Sequence, residues 1–406
     1  MKSFRTFAFI SAVIVSLSLH VEAVCKGYGS NCPQEAPCCN MGWCSNDPKF
    51  CSFGCEPENS FNDKSCYPDP PCVSLYDDFS NKSLISWFQW NGDPNSYHWT
   101  SDFKPDYSSY DDNGNLLLGL HYDGVNKNEQ GRYQGFGSTV SSSRAMEFGT
   151  VTARIKTGST APGIVTSFIT KNTVGDEIDY EWVGLNPSEA QSNYYWNGTL
   201  DYTKGAHHPV GADSTADYHI YTIEWLPDHI SWIIDGNVVR TVNKADTFDS
   251  TLGLYKFPAR PSRVQLSMWD GGMGADGTAN WAGKTDWSDQ TKTYTMFVDW
   301  VNITCFYNGN ASTPWPPEGY GPPKVTSTNS TTSLQTLGTN VPAATPTQGG
   351  NQPQIDTGPG MDYNASQLPK LVPAVAATCS LVVVSAIVFG IWKYRKSKGE
   401  DYVKYP

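Results

Sequence analysis

The chain has 406 residues, 17% charged side chains and a formal net charge of −12 at pH 7. This acidic balance argues against nucleic-acid binding, which needs a basic face. Aromatic residues make up 13% of the chain, a share that suits a carbohydrate-handling protein, because aromatic rings stack on sugars, and equally suits any large β-sandwich core.

Residues 1–23 predict a signal peptide. Lys2 and Arg5 precede a short apolar run at residues 7–19, and residues 21–23 offer small side chains for cleavage. The run is too short to cross a bilayer. A retained signal anchor is the alternative, and export is the prediction.

Residues 24–71 predict a small disulfide-rich module. Nine of the 11 cysteines lie between Cys25 and Cys72, and Cys305 lies far downstream. So short a segment cannot stabilise itself by an apolar core alone, and an exported chain meets an oxidising compartment. Nine cysteines leave one over, so Cys72 or a neighbour is expected to bridge to Cys305. Metal binding is the alternative, although few histidines lie nearby.

Residues 72–310 predict one all-β domain. Short β-branched or aromatic runs, such as residues 151–155 and 218–225, are separated by Asp-Gly, Asn-Gly and proline turns. No long run of helical periodicity appears. A stretch of this length and pattern predicts a single β-sandwich rather than two domains.

Three alternate carboxylates stand out within this domain: Glu177, Asp179 and Glu181. A β-strand points alternate side chains to opposite faces, so these three project together while Ile178 and Tyr180 point into a core. Two carboxylates flanking a glycosidic bond are what glycoside cleavage needs, one to attack and one to move the proton. The third tunes the pair, because close acids do not all ionise freely. A solvated acidic face or a cation site is the alternative.

A second candidate strand places Gln265, Ser267 and Trp269 on one face by the same alternation. Asp270 and two glycines follow, which indicates a strand that ends at a cleft. Trp269 is therefore a candidate for stacking on a sugar ring, and a core tryptophan is the alternative. Trp281 and Trp287 are weaker candidates.

His207 and His208 are adjacent, so on a strand they point to opposite faces and do not share a metal site. We expect ordinary surface histidines there, and neither a metal nor another cofactor is predicted.

The C-terminal part predicts a stalk and an anchor. Residues 311–370 are rich in Ser, Thr, Pro and Gly and bury too little to fold, which is typical of an O-glycosylated stalk. The uncharged apolar run at residues 371–392 is long enough to be a transmembrane helix, and the basic residues after it predict a cytosolic tail at residues 393–406. A GPI signal is the alternative.

The chain also carries six Asn-x-Ser/Thr sequons, typical of an exported glycoprotein: Asn81, Asn197, Asn302, Asn310, Asn329 and Asn364.

With these features together, residues 72–307 resemble the fungal Crh family of chitin–glucan transglycosylases, in glycoside hydrolase family 16. Three ordered motifs carry the resemblance: DEIDYEWVG at residues 176–184, QSNYY at residues 191–195, and residues 263–272 with 277–283. The resemblance implies a jelly-roll sandwich with a concave glycan cleft.

The resemblance also implies residue roles: Glu177 as nucleophile, Glu181 as acid/base, and Asp179 tuning the pair. Cα atoms four residues apart on a strand are about 13 Å apart, whereas retaining chemistry wants carboxyls about 5–5.5 Å apart, so the strand is expected to bow. The resemblance further implies that Gln265, Trp269 and Thr278 line the donor sugar subsites. Many relatives have proline after this tryptophan, so the loop at Asp270 is expected to differ.

Residues 25–66 resemble a hevein-like chitin-binding module, on Cys38-Cys39, Gly42-Trp43-Cys44 and Phe50-Cys51. Met41 stands where such modules often present an aromatic side chain, and the spacing is one residue short. Trp43 and Phe50 are candidates for a reduced sugar platform. A purely structural cap on the catalytic domain is an equal alternative.

The expected activity is retaining transfer of a chitin-type β-1,4 donor to a β-glucan acceptor, at the cell surface or wall and with the catalytic domain outside. A hydrolytic β-glycanase or chitinase is the nearest alternative. A non-catalytic wall lectin or structural protein is the second alternative; it would be expected to lose one of the two glutamates, and both are present.

Overall fold

The computed structural model describes Cys25 and residues 31–127 and 133–322. The predicted signal peptide, most of the predicted stalk, the predicted transmembrane helix and the tail lie outside these residues. Within them, no helix is long and apolar enough to cross a membrane.

The regular secondary structure of the described chain is almost entirely β-strand. In chain order these are β1 (Cys38–Asn40), β2 (Trp43–Ser45), β3 (Leu75–Asp77), β4 (Leu84–Ser86), β5 (Trp99–Phe103), β6 (Ser108–Tyr110), β7 (Leu116–Lys127), β8 (Tyr133–Gly137), β9 (Thr139–Met146), β10 (Gly149–Lys156), β11 (Ile164–Lys171), β12 (Glu177–Val183), β13 (Glu189–Tyr195), β14 (Ala206–Pro209), β15 (His219–Trp225), β16 (His229–Ile234), β17 (Asn237–Asn243), β18 (Phe248–Asp249), β19 (Leu254–Tyr255), β20 (Ser262–Asp270) and β21 (Thr293–Cys305).

Helical structure in the described residues is limited to one short α-helix, α1 (Asp276–Ala282), and a few single 3₁₀ turns. The 3₁₀ turns are Pro48–Cys51, Pro57–Asn59, Pro105–Tyr107, Tyr202–Lys204, Lys244–Thr247 and Gly271–Met273.

Two sheets pack face to face. The front sheet has the order β14-β13-β12-β11-β20-β9-β5-β4. The back sheet has the order β17-β16-β15-β10-β21-β7-β6, with β3 paired to β21 and β8 paired to β7. The predicted all-β sandwich is confirmed.

The core between the sheets follows from the alternation in the strands. On β12, the side chains of Ile178, Tyr180 and Trp182 are fully buried. The Tyr221 ring on β15 of the back sheet contacts the Trp182 ring edge-on, with centroids 4.5 Å apart. One face of β12 therefore belongs to the core, and its other face is left for the site.

The N-terminal module is held by four disulfides around the β1–β2 hairpin: Cys25–Cys39, Cys32–Cys44, Cys38–Cys51 and Cys55–Cys66. The sulfurs of Cys25, Cys32 and Cys44 lie within 4.8 Å of one another. All three are disulfide-bonded, so they offer no thiolate to a metal.

A fifth disulfide joins Cys72 to Cys305 at the end of β21, across 233 residues of sequence. This bond ties the segment that follows the module to the last strand of the sandwich. The predicted bridge from Cys72 or a neighbour to Cys305 is confirmed, with Cys72 as the partner.

The module also packs against the sandwich. The guanidinium of Arg263 on β20 lies 4.4 Å from the centroid of the Phe53 ring. The same ring stacks against Trp90, with centroids 6.3 Å apart. These contacts place the Phe53 loop of the module at the start of β20, a strand of the front sheet.

Candidate active site

Glu177, Asp179 and Glu181 lie on one face of β12. The pairing of β12 with β11 runs from Glu177 to Val183 without a register shift, so no bulge interrupts the alternation. Glu177 and Glu181 are half-buried, whereas Asp179 between them is 2% exposed. The strand therefore presents three carboxyls in one row, in environments that differ.

Asp179 is the most enclosed of the three. Its Oδ1 atom is buried and has no hydrogen-bond partner. Burial, together with the charges of Glu177 and Glu181 and a hydrogen bond with Glu177, raises the pKa of Asp179 well above its ordinary value. These surroundings therefore favour the protonated form of the carboxyl between the two glutamates.

Lys171 pairs with Glu177, and sequence reasoning did not single it out. Lys171 ends β11 directly opposite Glu177, and its Nζ lies 2.5 Å from a Glu177 carboxylate oxygen. Burial favours the neutral amine, but the interaction with Glu177, and to a smaller extent those with the acidic groups of Asp179 and Glu181, outweigh burial and raise the pKa of Lys171. The only sequence signal was one cation at the end of an otherwise apolar and hydroxylated strand.

Glu181 is held in its acid form. Burial first, and then the charge of Glu177, raises the pKa of Glu181 to about 8, while Lys171 and the indole N–H of Trp269 oppose that shift. Its directly opposite neighbours are Ser167 on β11 and Gln191 on β13. A carboxylic acid that keeps its proton at neutral pH is suited to protonate a leaving group.

Two tryptophans flank Glu181 through these neighbours. The indole N–H of Trp269 donates to Ser167 Oγ at 2.9 Å. The indole N–H of Trp281 donates to Gln191 Oε1 at 2.7 Å. The two indoles stack with centroids 5.8 Å apart and planes 26° from parallel. We refer to Trp269 and Trp281 together as the indole pair.

The other predicted sugar-binding residues fall on two elements of this region. Gln265 lies on β20 between Ile169 on β11 and Ser141 on β9, on the same face as Trp269. Thr278 is half-buried on α1, three residues before Trp281 and so close to the same side of the helix. β20 ends at Asp270, where the sequence predicted a strand end.

The structure corrects the predictions for Trp287 and His208. Trp287 is 3% exposed and belongs to the core, so it does not face the site. His207 is exposed, but the surface prediction is wrong for His208, which is 6% exposed and contacts Ser192 Oγ through Nε2 at 2.8 Å. Trp43 is half-buried on β2 of the module, opposite Asn40. Its role in chitin binding stays a prediction.

Residues 95–300 match the family model "Glycosyl hydrolases family 16". The chain belongs to this family. Its predicted membership, and with it the prediction of a glycosidase or transglycosylase, is confirmed.

The relatives of this family 16 chain include Crh-like proteins. "Crh-like protein 3" of Botryotinia fuckeliana is 36% identical over 333 residues, 77% of this chain and 71% of that protein. "Crh-like protein 2" of Aspergillus fumigatus is 39% identical over 270 residues, 64% of this chain and 57% of that protein. The solved structure "Apo Crh5 transglycosylase" is similar at 28% identity and a TM-score of 0.47, covering 61% of this chain and 90% of that chain.

Proposed function

We propose that this chain is a retaining cell-surface transglycosylase that cleaves a chitin-type β-1,4-linked donor and joins it to a β-glucan acceptor. The Crh-like relatives support the reaction class. The observation that carries the proposal is the row of three carboxyls on β12, in which Glu181 holds a proton near neutral pH and Glu177 is paired with Lys171. A retaining reaction needs such a pair at its start: one carboxyl that can donate a proton and one carboxylate that can act as nucleophile.

In the first step Glu177 is the nucleophile and attacks the anomeric carbon of the donor. Glu181 gives its proton to the leaving oxygen, so the glycosidic bond breaks as the Glu177 ester forms. Asp179, protonated, donates its hydrogen bond to Glu177 and holds that carboxylate in place. Gln265, Trp269 and Thr278 line the donor subsites: the indole stacks on a pyranose ring while the amide and hydroxyl bind sugar hydroxyls.

In the second step Glu181 changes role from acid to base. The negative charge of Glu177 is one of the causes that raise the pKa of Glu181. That charge disappears when Glu177 becomes an ester, so the pKa of Glu181 falls and its carboxylate can accept a proton from the acceptor hydroxyl. The acceptor oxygen then attacks the anomeric carbon and releases Glu177.

The proposed location is the cell surface, with the catalytic domain outside and one C-terminal transmembrane helix as anchor. Five disulfides in the described residues support an oxidising compartment. The anchor rests on the apolar run at residues 371–392. An epitope fused after the last residue should persist in the mature protein and be shielded from external protease; its removal, with release by a phosphoinositide-specific phospholipase, would indicate a GPI anchor.

The test of the activity is to incubate the purified protein with a chitin oligomer and a fluorescent β-glucan oligomer. We expect labelled products longer than the acceptor, and none with Glu177→Gln, a variant that keeps the size of the side chain but lacks the nucleophile. Shortened chitin without labelled product would instead identify a hydrolase. No change in either oligomer would favour the wall lectin.

A further inference from the structure

The carboxylate of Asp270, outside the row on β12, accepts hydrogen bonds from several segments of the chain. Asp270 is the last residue of β20 and is 6% exposed. Five groups donate to it: to Oδ1 the backbone N–H groups of Gly272 (3.1 Å) and Met273 (3.2 Å) and the hydroxyl of Thr285, and to Oδ2 the backbone N–H of Gly135 (3.0 Å) and the indole N–H of Trp287 (2.7 Å).

No cation neutralises this carboxylate among the ion pairs of the described residues. Burial raises the pKa of Asp270, and the donated hydrogen bonds from Thr285, Trp287, Gly135 and Met273 oppose that shift. A buried carboxylate without a cation is expensive, and it is retained only where hydrogen bonds fill its acceptor sites. Both oxygens of Asp270 are filled in this way, from three separate segments.

The donors lie at both ends of one loop, residues 271–287. Gly272 and Met273 open the loop, and Thr285 and Trp287 close it. The backbone supports the same closure through Gly163, whose carbonyl accepts from the N–H of Gly271 at 2.8 Å and whose own N–H donates to the carbonyl of Ala282 at 2.7 Å. Asp270 therefore joins the start of this loop to its end.

The third segment is β8 of the back sheet, where Gly135 packs tightly against the ring of Trp287. A Cβ atom on Gly135 would lie 2.2 Å from the ring of Trp287. Trp287 itself packs edge-on against Tyr294, with centroids 5.6 Å apart. The carboxylate is thus fixed to the core on one side and to the loop on the other.

The loop closed by Asp270 carries α1, and α1 carries Thr278 and Trp281. Trp281 stacks on Trp269 and donates to Gln191, the cross-strand neighbour of Glu181. We propose that Asp270 is a positioning residue: by closing the loop of residues 271–287, it holds Trp281 against Trp269 and so fixes the aromatic wall of the donor site. This inference rests on the proposed function, in which Trp269 binds the donor.

The test is Asp270→Asn, with Asp286→Asn as the matched control. The carboxamide keeps the size but puts an NH₂ group, itself a donor, in place of one acceptor oxygen. We expect KM for a chitin oligomer to rise by about tenfold or more, the effect of about 1.4 kcal/mol, while kcat changes by less than about threefold. Asp286 is exposed on the same loop, and its variant should keep the wild-type KM.

A second readout needs no substrate. Two stacked indoles couple their electronic transitions, so the indole pair should contribute a couplet to the circular dichroism spectrum that weakens in Asp270→Asn and persists in Asp286→Asn. A folded Asp270→Asn protein with an unchanged couplet and unchanged KM contradicts the proposal. A lower melting temperature with both readouts unchanged also contradicts it, because Asp270 would then act on stability alone.

If Asp270→Asn does not fold, Thr285 gives the same test with a smaller change. Thr285→Val removes one hydroxyl donor and should weaken the couplet and raise KM, whereas Thr285→Ser keeps the hydroxyl and should retain wild-type values. Equal behaviour of the two variants contradicts the proposal. A couplet that depends on Asp270 in a protein without chitin-transfer activity would overturn the proposed function and leave the positioning role in place.

Discussion

Asp176 and Asp179 are three residues apart at the start of β12, and both carboxyls are buried, yet their surroundings are opposite. Asp176 accepts hydrogen bonds from the backbone of Asn197, Ala259 and Arg260 and pairs with the Arg260 guanidinium at 2.9 Å. Asp179 has a buried oxygen with no partner and two carboxylate neighbours. The first residue stabilises the fold, and the second costs stability.

We therefore expect Asp179→Asn to stabilise the protein at pH 7, because the neutral amide folds without taking up a proton, by at most about 1.4 kcal/mol for each pH unit above the ordinary Asp pKa, and to reduce transfer. Because the pKa of Asp179 is raised on folding, the unfolded chain releases a proton that the folded protein keeps. The free energy of unfolding of the wild-type protein therefore falls as pH rises above the ordinary Asp range. The gain in melting temperature should therefore be larger at pH 8 than at pH 4. The matched variant Asp176→Asn should lower the melting temperature at both pH values. Equal destabilisation by the two variants would show that Asp179 is not held protonated.

Glu181 makes a prediction about the pH dependence of the rate. Its pKa is raised to about 8, so it carries its proton below that pH and loses it above. We expect kcat/KM for transfer to fall as pH rises through about 8, because the acid is then ionised. In Glu181→Gln, a donor with an aryl leaving group that needs no protonation should react without this alkaline limb. A limb that persists in the variant would assign the titration to another group.

At the scale of elements, the alternation of side chains explains what could be predicted of the site. One strand is enough to place Glu177, Asp179 and Glu181 on one face. Lys171 could not be predicted, because its contact depends on the register between β11 and β12. Trp281 was only a weak candidate for the same reason: its partner Gln191 lies three strands away from Trp269 in the front sheet.

The alternation of side chains along a strand did not predict the burial of His208, because that burial depends on neighbouring elements. The opposite orientation of His207 and His208 is as predicted, but the pattern does not reveal that Arg240 of the back sheet reaches the backbone carbonyl and hydroxyl of Ser192, beside His208. Burial, with the nearby charges of Arg240 and His207, lowers the pKa of His208. This histidine is therefore part of the packing between the sheets.

Trp269 lies at the candidate site and Trp287 in the core beneath the loop of residues 271–287, so the two tryptophans give a matched pair of variants. Trp269 is half-buried in the indole pair, whereas Trp287 is 3% exposed in the core. We expect Trp269→Ala to weaken donor affinity by roughly 1–3 kcal/mol, by analogy with stacking of bases on aromatic rings, with a smaller loss of stability. Trp287→Ala should cost more stability, about 3–5 kcal/mol, and any effect on donor affinity should follow from its lost hydrogen bond to Asp270. Both are measured by donor titration and thermal melting of the same proteins. A large fall in melting temperature with unchanged affinity in Trp269→Ala would place that tryptophan in the core.

At the scale of the whole molecule, the Cys72–Cys305 disulfide closes the sandwich. It spans 233 residues, whereas Cys55–Cys66 spans 11 within the module. The pairing could be anticipated from the odd cysteine count, but the docking of the module could not, because the contact of Phe53 with Arg263 joins segments far apart in sequence.

Loop closure gives the expected effect of removing this disulfide. Replacing both Cys72 and Cys305 by Ser should lower stability by about 4–5 kcal/mol, because cross-linking a loop of more than about 100 residues restricts the unfolded chain strongly. Replacing Cys55 and Cys66 by Ser should cost about 3 kcal/mol or less. Chemical denaturation followed by tryptophan fluorescence measures both. A larger loss from the shorter loop would show that the module, rather than the closure of the sandwich, limits stability.

In the proposed reaction Glu177 carries the donor sugar covalently while Glu181 moves the proton. Peptide mass spectrometry of Glu181→Gln tests this, after reaction with a chitin-oligomer donor that bears an aryl leaving group. Glycosylation needs no acid with that donor, and release needs the missing base, so the intermediate should accumulate. We expect an adduct of the donor's mass on the peptide that contains Glu177, and no adduct when that residue is also changed to Gln. Release of the aryl group without any adduct, as when the acetamido group of the donor itself attacks, or an adduct on another residue, would contradict it.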